Sequence, residues 1–453
     1  MRRVVKVSRI RIIITIIVVV LTTLLTGCTG KEPNEIAYVV ALGIDSTDDD
    51  NYKITIQYAN TTQISGGASE SGGKAGSEIV DNVTIEAPNI YAGVGLANNI
   101  VSKSFSMSHA KLIVFSKEIA EKGVKDMIET LVRSEEIRPD VFIAVANTTA
   151  NDYLTSVNPE MEVNPAQYYQ LIYQKNQLVG IPDGQLREFF TGLYTDNYDS
   201  ILPVAGVIEG SGGNSQNDDK GQSKDGQNEG SEGSSESLDS FESKSSNENE
   251  KEKDAEKNTS KYEYDIKNYI GGETTIEKKN KAEAIGAAVF EKDKMVGELG
   301  EVETEICKML KGDYTYSYLT YYNNDTPDIP ITVKTTQQKK PKYKIDTDKK
   351  TVDIELYIES DLYSLPADYN VENKIEDFER DVANYTSSAC TEFINNFTKK
   401  YNSDILKLNE KVKYKFLTNN QYNWFKKNVG WSEYKFSVCT NFKVRRTGLI
   451  VRE

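Results

Sequence analysis

The sequence predicts a multi-domain α/β protein, each domain a mixed β-sheet packed with helices, and three observations predict it. Up to residue 208, short runs with strand patterning alternate with runs of helical spacing. From Glu209 to Ser260 apolar side chains almost vanish, with Leu238, Phe241 and Ala255 the exceptions, so this stretch cannot offset the entropy of ordering and separates one domain from the next. Beyond it strand patterns return and lead into the longest helical stripe of the chain. The 453 residues leave room for two or three domains, each with a core of its own.

At the front, Arg2, Arg3, Lys6, Arg9 and Arg11 precede Ile12 to Leu25, a run made only of Ile, Val, Leu and Thr that ends in Leu25-Thr26-Gly27-Cys28. A basic segment, a short apolar run and a small residue before a cysteine form a secretory signal, here with the pattern of a bacterial lipobox. The run is too short for a normal membrane-spanning helix, which takes about 20 residues. Residues 1–27 are therefore expected to be a signal peptide, cut before Cys28, whose thiol is the lipidation site. Two acyl chains, at about 0.8 kcal/mol per buried methylene, would hold the mature chain on a bilayer rather than thread it through.

Residues 28–208 read as an N-terminal α/β domain. Ile36 to Ile44 is nearly continuous apolar sequence, as in a buried strand, and Tyr52 to Tyr58 alternates with period two; the acidic turn Asp45 to Asn51 joins them as a pair. Ser65 to Ser77 is a Gly/Ser-rich enlarged loop. After Pro88 the spacing of Ile90, Val94, Ala97 and Ile100 predicts a helix, and Lys111 to Phe115 predicts a short strand. Ser116 caps a second helix, with Glu118 in its first turn, Ile119, Val124, Met127, Ile128 and Leu131 on one face, and an end near Arg133. Val141 to Val145 is a strand. Asn164-Pro165 then opens a helix to about Gln174, with Asn as cap and Pro at the first helical position.

Residues 209–262 are an acidic linker, expected to be disordered: fourteen acidic and six basic side chains between Glu209 and Ser260 add repulsion to the shortage of apolar groups. Residues 263–326 follow as a small middle domain, with a strand Ala284 to Phe290, a charged turn Glu291 to Lys294, a strand Met295 to Leu299, and a helix Val302 to Leu310 that ends near Gly312. Tyrosine is dense from Tyr314 to Tyr322. Residues 327–453 form a C-terminal α/β domain. Strands Ile331 to Thr335 and Thr351 to Ile358 lead into a long helix, whose Val371, Ile375, Phe378, Val382, Tyr385, Ala389, Phe393 and Phe397 recur by threes and fours and pack on their own sheet; Phe436 to Val444 is the terminal strand.

The net charge is −15, and loss of residues 1–27, with five basic and no acidic side chains, makes it five units more negative; this argues against nucleic acid as a partner. The only histidine, His109, follows Ser108. In an extended stretch the two point to opposite faces, so they form no triad, and His109 reads as a structural hydrogen-bonding residue at the entry of a strand. Neither a Walker loop nor a His-Glu-x-x-His helix occurs, and Gly93-x-Gly95 is an incomplete dinucleotide loop inside a helix. Beyond Cys28 the cysteines are Cys307, Cys390 and Cys439, an odd set in which a Cys390–Cys439 disulfide stays open. No catalytic residue, metal ligand or cofactor is expected, and the chain reads as a non-enzyme.

In order along the chain come the lipobox, Ala41-Leu42-Gly43-Ile44-Asp45 in the first strand, Ser108-His109-Ala110-Lys111 entering a later one, Leu131-Val132-Arg133-Ser134-Glu135-Glu136-Ile137-Arg138-Pro139 at a helix end, and Trp424 and Trp431 before the last strand. Together these resemble the Ger(x)C family, the C subunits of spore germinant receptors, over the whole mature chain except the linker. The resemblance implies three α/β domains in a lipoprotein on the outer face of the spore's inner membrane. It also implies membrane-embedded A and B subunits as partners and a non-catalytic part in the response to nutrient germinants; direct binding of a small molecule stays open. By their own chemistry, Gly43 suits a close approach of backbone, Asp45 the closing of the next turn, and Arg133 and Arg138 an ion-pair cluster with Glu135 and Glu136. The competing reading, a substrate-binding lipoprotein of an importer, calls for two similar lobes, and residues 28–208 and 263–453 show no repetition.

Overall fold

The computed structural model describes residues 13–17, 35–49, 51–59, 80–158, 162, 164–174, 180–195, 197–208, 268–274, 280–323, 326–364 and 374–447. Cys28, the Ser65–Ser77 loop and the acidic linker lie outside the described residues.

Successive apolar residues place β1 (Ile36–Ser46) in the middle of a sheet, with Val39, Ala41, Leu42 and Ile44 fully buried. On one side it pairs antiparallel with β2 (Tyr52–Ala59), itself antiparallel to β3 (Val80–Ala87). On the other side it runs parallel to the short β4 (Ser104–Ser106) and to β5 (Leu112–Ser116), which β6 (Phe142–Ala146) and β7 (Ile201–Val207) continue in parallel. β8 (Ala282–Glu291) is antiparallel to β7, and β9 (Lys294–Leu299) to β8, giving the order β3-β2-β1-β5-β6-β7-β8-β9 with β4 beside β1. The expected middle domain, residues 263–326, is therefore not a separate sheet: its first two strands complete the N-terminal one. Hairpin patterning reveals that β8 and β9 pair with each other. Which sheet they join is decided by the apolar strand β7, whose Ile201, Leu202 and Val204 are buried.

Helices cover both faces of this sheet. α1 (Ile90–Ala97) is capped by Asn89, whose Oδ1 accepts from Ala92 N at 2.9 Å; Ile100, expected on its stripe, lies past its end and is exposed. The single helix expected after Ser116 is two, α2 (Lys117–Lys122) and α3 (Lys125–Val132). Gly123, at φ 124°, breaks the path, and Val124 N bonds Asp293 O in the β8–β9 turn at 3.0 Å. Three more follow: α4 (Ala150–Ser156), α5 (Pro165–Gln174), which starts where Asn164-Pro165 predicts, and α6 (Leu186–Thr195). α1, α2, α3 and α6 share a core with Val39, Leu42 and Ile44, whereas α4 and α5 share the opposite one with Val40 and Ala41.

After α7 (Glu301–Lys311), ended by Gly312 at φ 83° as expected, a second sheet forms from β10 (Tyr316–Asn323), β11 (Thr326–Gln337), β12 (Lys342–Asp346), β13 (Thr351–Ser364) and β14 (Lys435–Arg446). Its order is β10-β11-β13-β12, with β14 parallel to β13 on the free side. The long helix α8 (Ile375–Lys400) buries Phe378, Val382, Tyr385, Ala389, Phe393 and Phe397, as its stripe predicts; Val371 falls outside the described residues. A second, polar row on α8 reaches the unpaired edge of β14. Glu379 accepts from Val444 N (2.9 Å), Ser387 from Thr440 N (2.9 Å), Thr391 from Val438 N (3.0 Å) and Asn395 from Phe436 N (3.1 Å). Edge N–H groups that would otherwise invite another strand are thus occupied. Cys390 is buried on α8 while Cys439 lies on the exposed face of β14, so the two do not pair, and all three described cysteines are free. Two short helices, α9 (Leu408–Val412) and α10 (Asn419–Asn428), stand between α8 and β14. Among the described residues no helix is long and apolar enough to cross a membrane.

Candidate functional site

The residues singled out in the sequence hold secondary elements together. Gly43 and Asp45 share the face of β1 that meets α4. A Cβ at Gly43 would stand 3.0 Å from Leu154 Cδ1 and 3.1 Å from Ala150 Cβ, so glycine lets the helix lie close. Asp45 does not serve the next turn. Its carboxylate caps α4, accepting from Ala150 N (2.6 Å) and Asn151 N (3.0 Å), and burial holds its titration above the ordinary carboxylate range against those two bonds. Ser108 and His109 occupy a turn, not an extended stretch: Ser108 Oγ shares a hydrogen bond with Ser106 Oγ (2.9 Å), and the His109 ring packs edge-on against Tyr38 (4.9 Å between centroids). The expected ion-pair cluster does not form. Arg133 pairs with Glu129 (3.3 Å) and Arg138 with Asp140 (3.1 Å), which leaves Glu136 to accept from Met107 N (2.7 Å) and tie the His109 turn to the end of α3.

A dense polar site, unforeseen in the sequence, lies where the chain leaving α8 meets the β8–β9 turn. Asp404 N donates to Asp199 Oδ2 (2.8 Å), Asp199 N donates back to Asp404 O (3.2 Å), and Asp199 Oδ1 accepts from Lys292 N (2.8 Å). Ser403 Oγ donates to Phe290 O (2.8 Å) and Asn402 Nδ2 to Glu291 Oε1 (3.0 Å). The Asp404 carboxyl then starts α9, accepting from Leu408 N and Asn409 N, each at 2.8 Å. Full burial pushes its titration up to about 7, the two N–H donors opposing; Asp199 is raised too, again by burial. Lys407, at φ 57°, pairs with Glu188 (2.7 Å) and stands 4.2 Å above the Tyr198 ring. Tyr198, Asp199, Lys292, Ser403, Asn409 and Trp431 line a cleft of about 490 Å³ at this seam. Its Asp199 and Asp404 are engaged by backbone donors, which suits them to fix one part of the chain on another.

A further acid, the half-buried Glu305, sits on α7, which bridges the two sheets. Its Glu301 N donates to Tyr269 O (2.7 Å) and Lys308 Nζ to Ile181 O (3.1 Å) on the first-sheet side; Gln337 Nε2 and Tyr343 OH donate to the carbonyls of Met309 and Leu310 on the other. Glu305, accepting from Tyr314 OH (3.2 Å), is pushed up to about 7 by burial, and burial lowers Lys308 to about 8. Among the described residues no group of three His, Cys, Asp or Glu is placed to hold a metal ion. Cys28, the expected lipidation residue, lies outside the described residues.

A profile described as "Spore germination protein N-terminal domain" matches residues 30–207, and one described as "Spore germination B3/ GerAC like, C-terminal" matches residues 285–448. The chain is similar to spore germination protein KC of Bacillus subtilis (strain 168), 26% identical over 174 residues, which cover 35% of this chain and 42% of that protein. It is also similar to the putative spore germination protein YfkR of the same organism, 28% identical over 145 residues, covering 32% and 37%. The match thus spans less than half the length of these relatives. The crystal structure of the GerBC protein superposes with a TM-score of 0.48 at 15% identity, covering 89% of this chain and 96% of that one.

Proposed function

Because the chain belongs to the Ger(x)C family of spore germination proteins, we propose that it is the non-catalytic C subunit of a nutrient germinant receptor. The observation that carries this reading is the pair of matched segments, residues 30–207 and 285–448, in order along both sheets, with the acidic stretch in the interval between them. On this reading Cys28 carries the lipid, the chain stands on the outer face of the spore's inner membrane, and its partners are the membrane-embedded A and B subunits. The chemistry of the fold supports a structural, non-catalytic part. Asp45, Glu136, Asp199 and Asp404 spend their carboxylates on backbone N–H groups. The two sheets differ in strand number, nine and five, which supports this reading over an importer's binding protein with two similar lobes.

Spores lacking this gene alone, in a strain without a redundant receptor, should respond slowly or not at all to particular nutrients while receptor-independent triggers still act. Normal germination of such spores across a nutrient panel would sink the assignment. For the anchor, Cys28→Ala should leave the signal uncut or the protein in the soluble fraction. Normal processing and membrane fractionation of that variant would refute lipidation.

A further inference from the structure

α9, α10 and the chain between them differ in charge from the rest of the protein. Residues 407–428 carry six lysines against one acid, Glu410, in a chain whose net charge is −15; Lys407 is paired with Glu188 and Lys411 donates to Leu406 O, so the outward charge of the lobe rests on Lys413, Lys415, Lys426 and Lys427. This lobe also turns large apolar side chains outward. Leu417 is 94% exposed, Tyr414 77% and Trp424 64%, the first two being the most exposed large apolar side chains among the described residues.

The display is built. Between Tyr414 and Leu417, Phe416 turns inward, its ring 5.0 Å from Phe425 and 5.9 Å from Tyr422 between centroids; Phe425 in turn packs on Trp431 at 5.9 Å. Lys415 is tied to the carbonyl of Ile345, and Thr418 caps α10, its hydroxyl accepting from Gln421 N at 3.3 Å. An aromatic stack and a cap therefore hold Tyr414 and Leu417 out from the surface, with Lys413 beside them, around a groove of about 450 Å³.

We propose that this tip, Lys413 to Leu417 with its lysine collar, seats on the surface of a bilayer rich in anionic lipid. The cores of protein interfaces are depleted of lysine. Lysine interleaved with Tyr, Phe and Leu instead matches segments that lie among headgroups, where the aromatic and aliphatic groups enter the acyl boundary and the ammonium groups stay with the phosphates. Charge complementarity selects the lipid: a locally basic tip on an acidic chain is drawn to an anionic surface while the rest of the protein is held off it. This goes beyond the Cys28 anchor, which would limit distance and leave orientation free. A second contact fixes which side of the chain faces the membrane.

The test places a tryptophan at Leu417 (Leu417→Trp) in the full chain, with the wild type giving the background of Trp424 and Trp431. Emission is read on vesicles of phosphatidylcholine and of phosphatidylcholine with phosphatidylglycerol, with and without brominated acyl chains. On anionic vesicles the added indole should shift to the blue and be quenched by bromolipid. Both effects should be lost in the Lys413→Glu, Lys427→Glu background and at 1 M salt, where the screening length falls to about 3 Å. Co-sedimentation with the same vesicles reports attachment through the N-terminus separately, so failure of the anchor and failure of the tip are distinguishable. An added indole that keeps its water-exposed emission on anionic vesicles carrying the chain overturns the proposal. So does equal burial on neutral vesicles, and so does burial only when other membrane proteins are present, which would assign the tip to a protein partner.

Discussion

Asp404 and Glu305 give the C-terminal half a pH dependence that two substitutions can dissect. Burial pushes both carboxyls up to about 7, while in the unfolded chain each returns to its ordinary value near 4. For a raised acid the folded state is favoured while the proton is on. That contribution is full below about pH 4 and is lost as the pH rises through 7. Between pH 5 and pH 7 the unfolded chain has shed the proton that the folded chain keeps, so at 1.36 kcal/mol per unit each acid removes about 3 kcal/mol of stability on going from pH 5 to pH 8. Asp404→Asn should remove about half of the loss due to these two acids, and Asp404→Asn with Glu305→Gln the rest of it, leaving the smaller slope that the raised acids Asp45 and Asp199 contribute. Asparagine retains one acceptor toward the N–H groups of Leu408 and Asn409 but turns an amide against the other, a cost of about 1–3 kcal/mol at every pH, so the reasoning is read from the slope and not from the height. Urea unfolding at successive pH values, on a chain starting at residue 29, can follow Trp431, whose indole donates to Asn409 Oδ1 at 3.2 Å and so senses this turn. If Asp404→Asn loses as much stability between pH 5 and 8 as the wild type, Asp404 titrates as an ordinary carboxyl and the account of the seam is wrong.

Three further outcomes are expected. Gly43→Val should lower stability by about 1–3 kcal/mol, since its side chain would be driven into Leu154 and Ala150; an unchanged thermal midpoint would mean that α4 does not lie against β1. Asn395 both accepts from Phe436 N (3.1 Å) and donates to Phe436 O (3.0 Å), so Asn395→Ala should cost about 1–3 kcal/mol in urea titrations, and a neutral result would detach α8 from the edge of β14. Limited proteolysis should cut first between Glu209 and Ser260, where composition offers no core. The two fragments should still co-elute on gel filtration, because β7 and β8 pair from opposite sides of the cut; separate elution would contradict the single sheet.

Patterns that depend on near neighbours were legible. Ile36 to Ile44 and Tyr52 to Tyr58 announced β1 and β2 by their periods, Asn164-Pro165 the start of α5, and the three-and-four spacing from Phe378 to Phe397 the buried face of α8. Elements lacking a strong period were missed. α4 is only seven residues, ANDYLTS, and β3 alternates apolar with exposed polar residues beside a Gly/Ser patch. Gly123 broke a helix whose apolar stripe continued across it, because the deciding bond comes from Asp293 in a distant turn. The same physics hid the seam. Asp199 and Asp404 are brought together by the sheet and by the exit of α8, and each alone looks like one more surface acid in a chain with 69 acidic residues. Gly43 was found as a place of close approach, while Asp45 was given to the adjacent turn because its partner, α4, had not been seen.

The position of β1 carries a mechanical consequence. The segment expected to be tethered leads directly into it, and β1 is held by β2 on one flank and by β4 and β5 on the other. A pull on the N-terminal end of β1 along the strand axis must shear two ladders at once, whereas a force that unzips an outer strand would peel one ladder bond by bond. Resistance to such a pull is set by the height of the unfolding barrier rather than by the folding equilibrium, and shear across two flanks raises that barrier. Tension on that segment would therefore load the middle of the nine-stranded sheet, whose strands β7 and β8 flank the seam at Asp199 and Asp404.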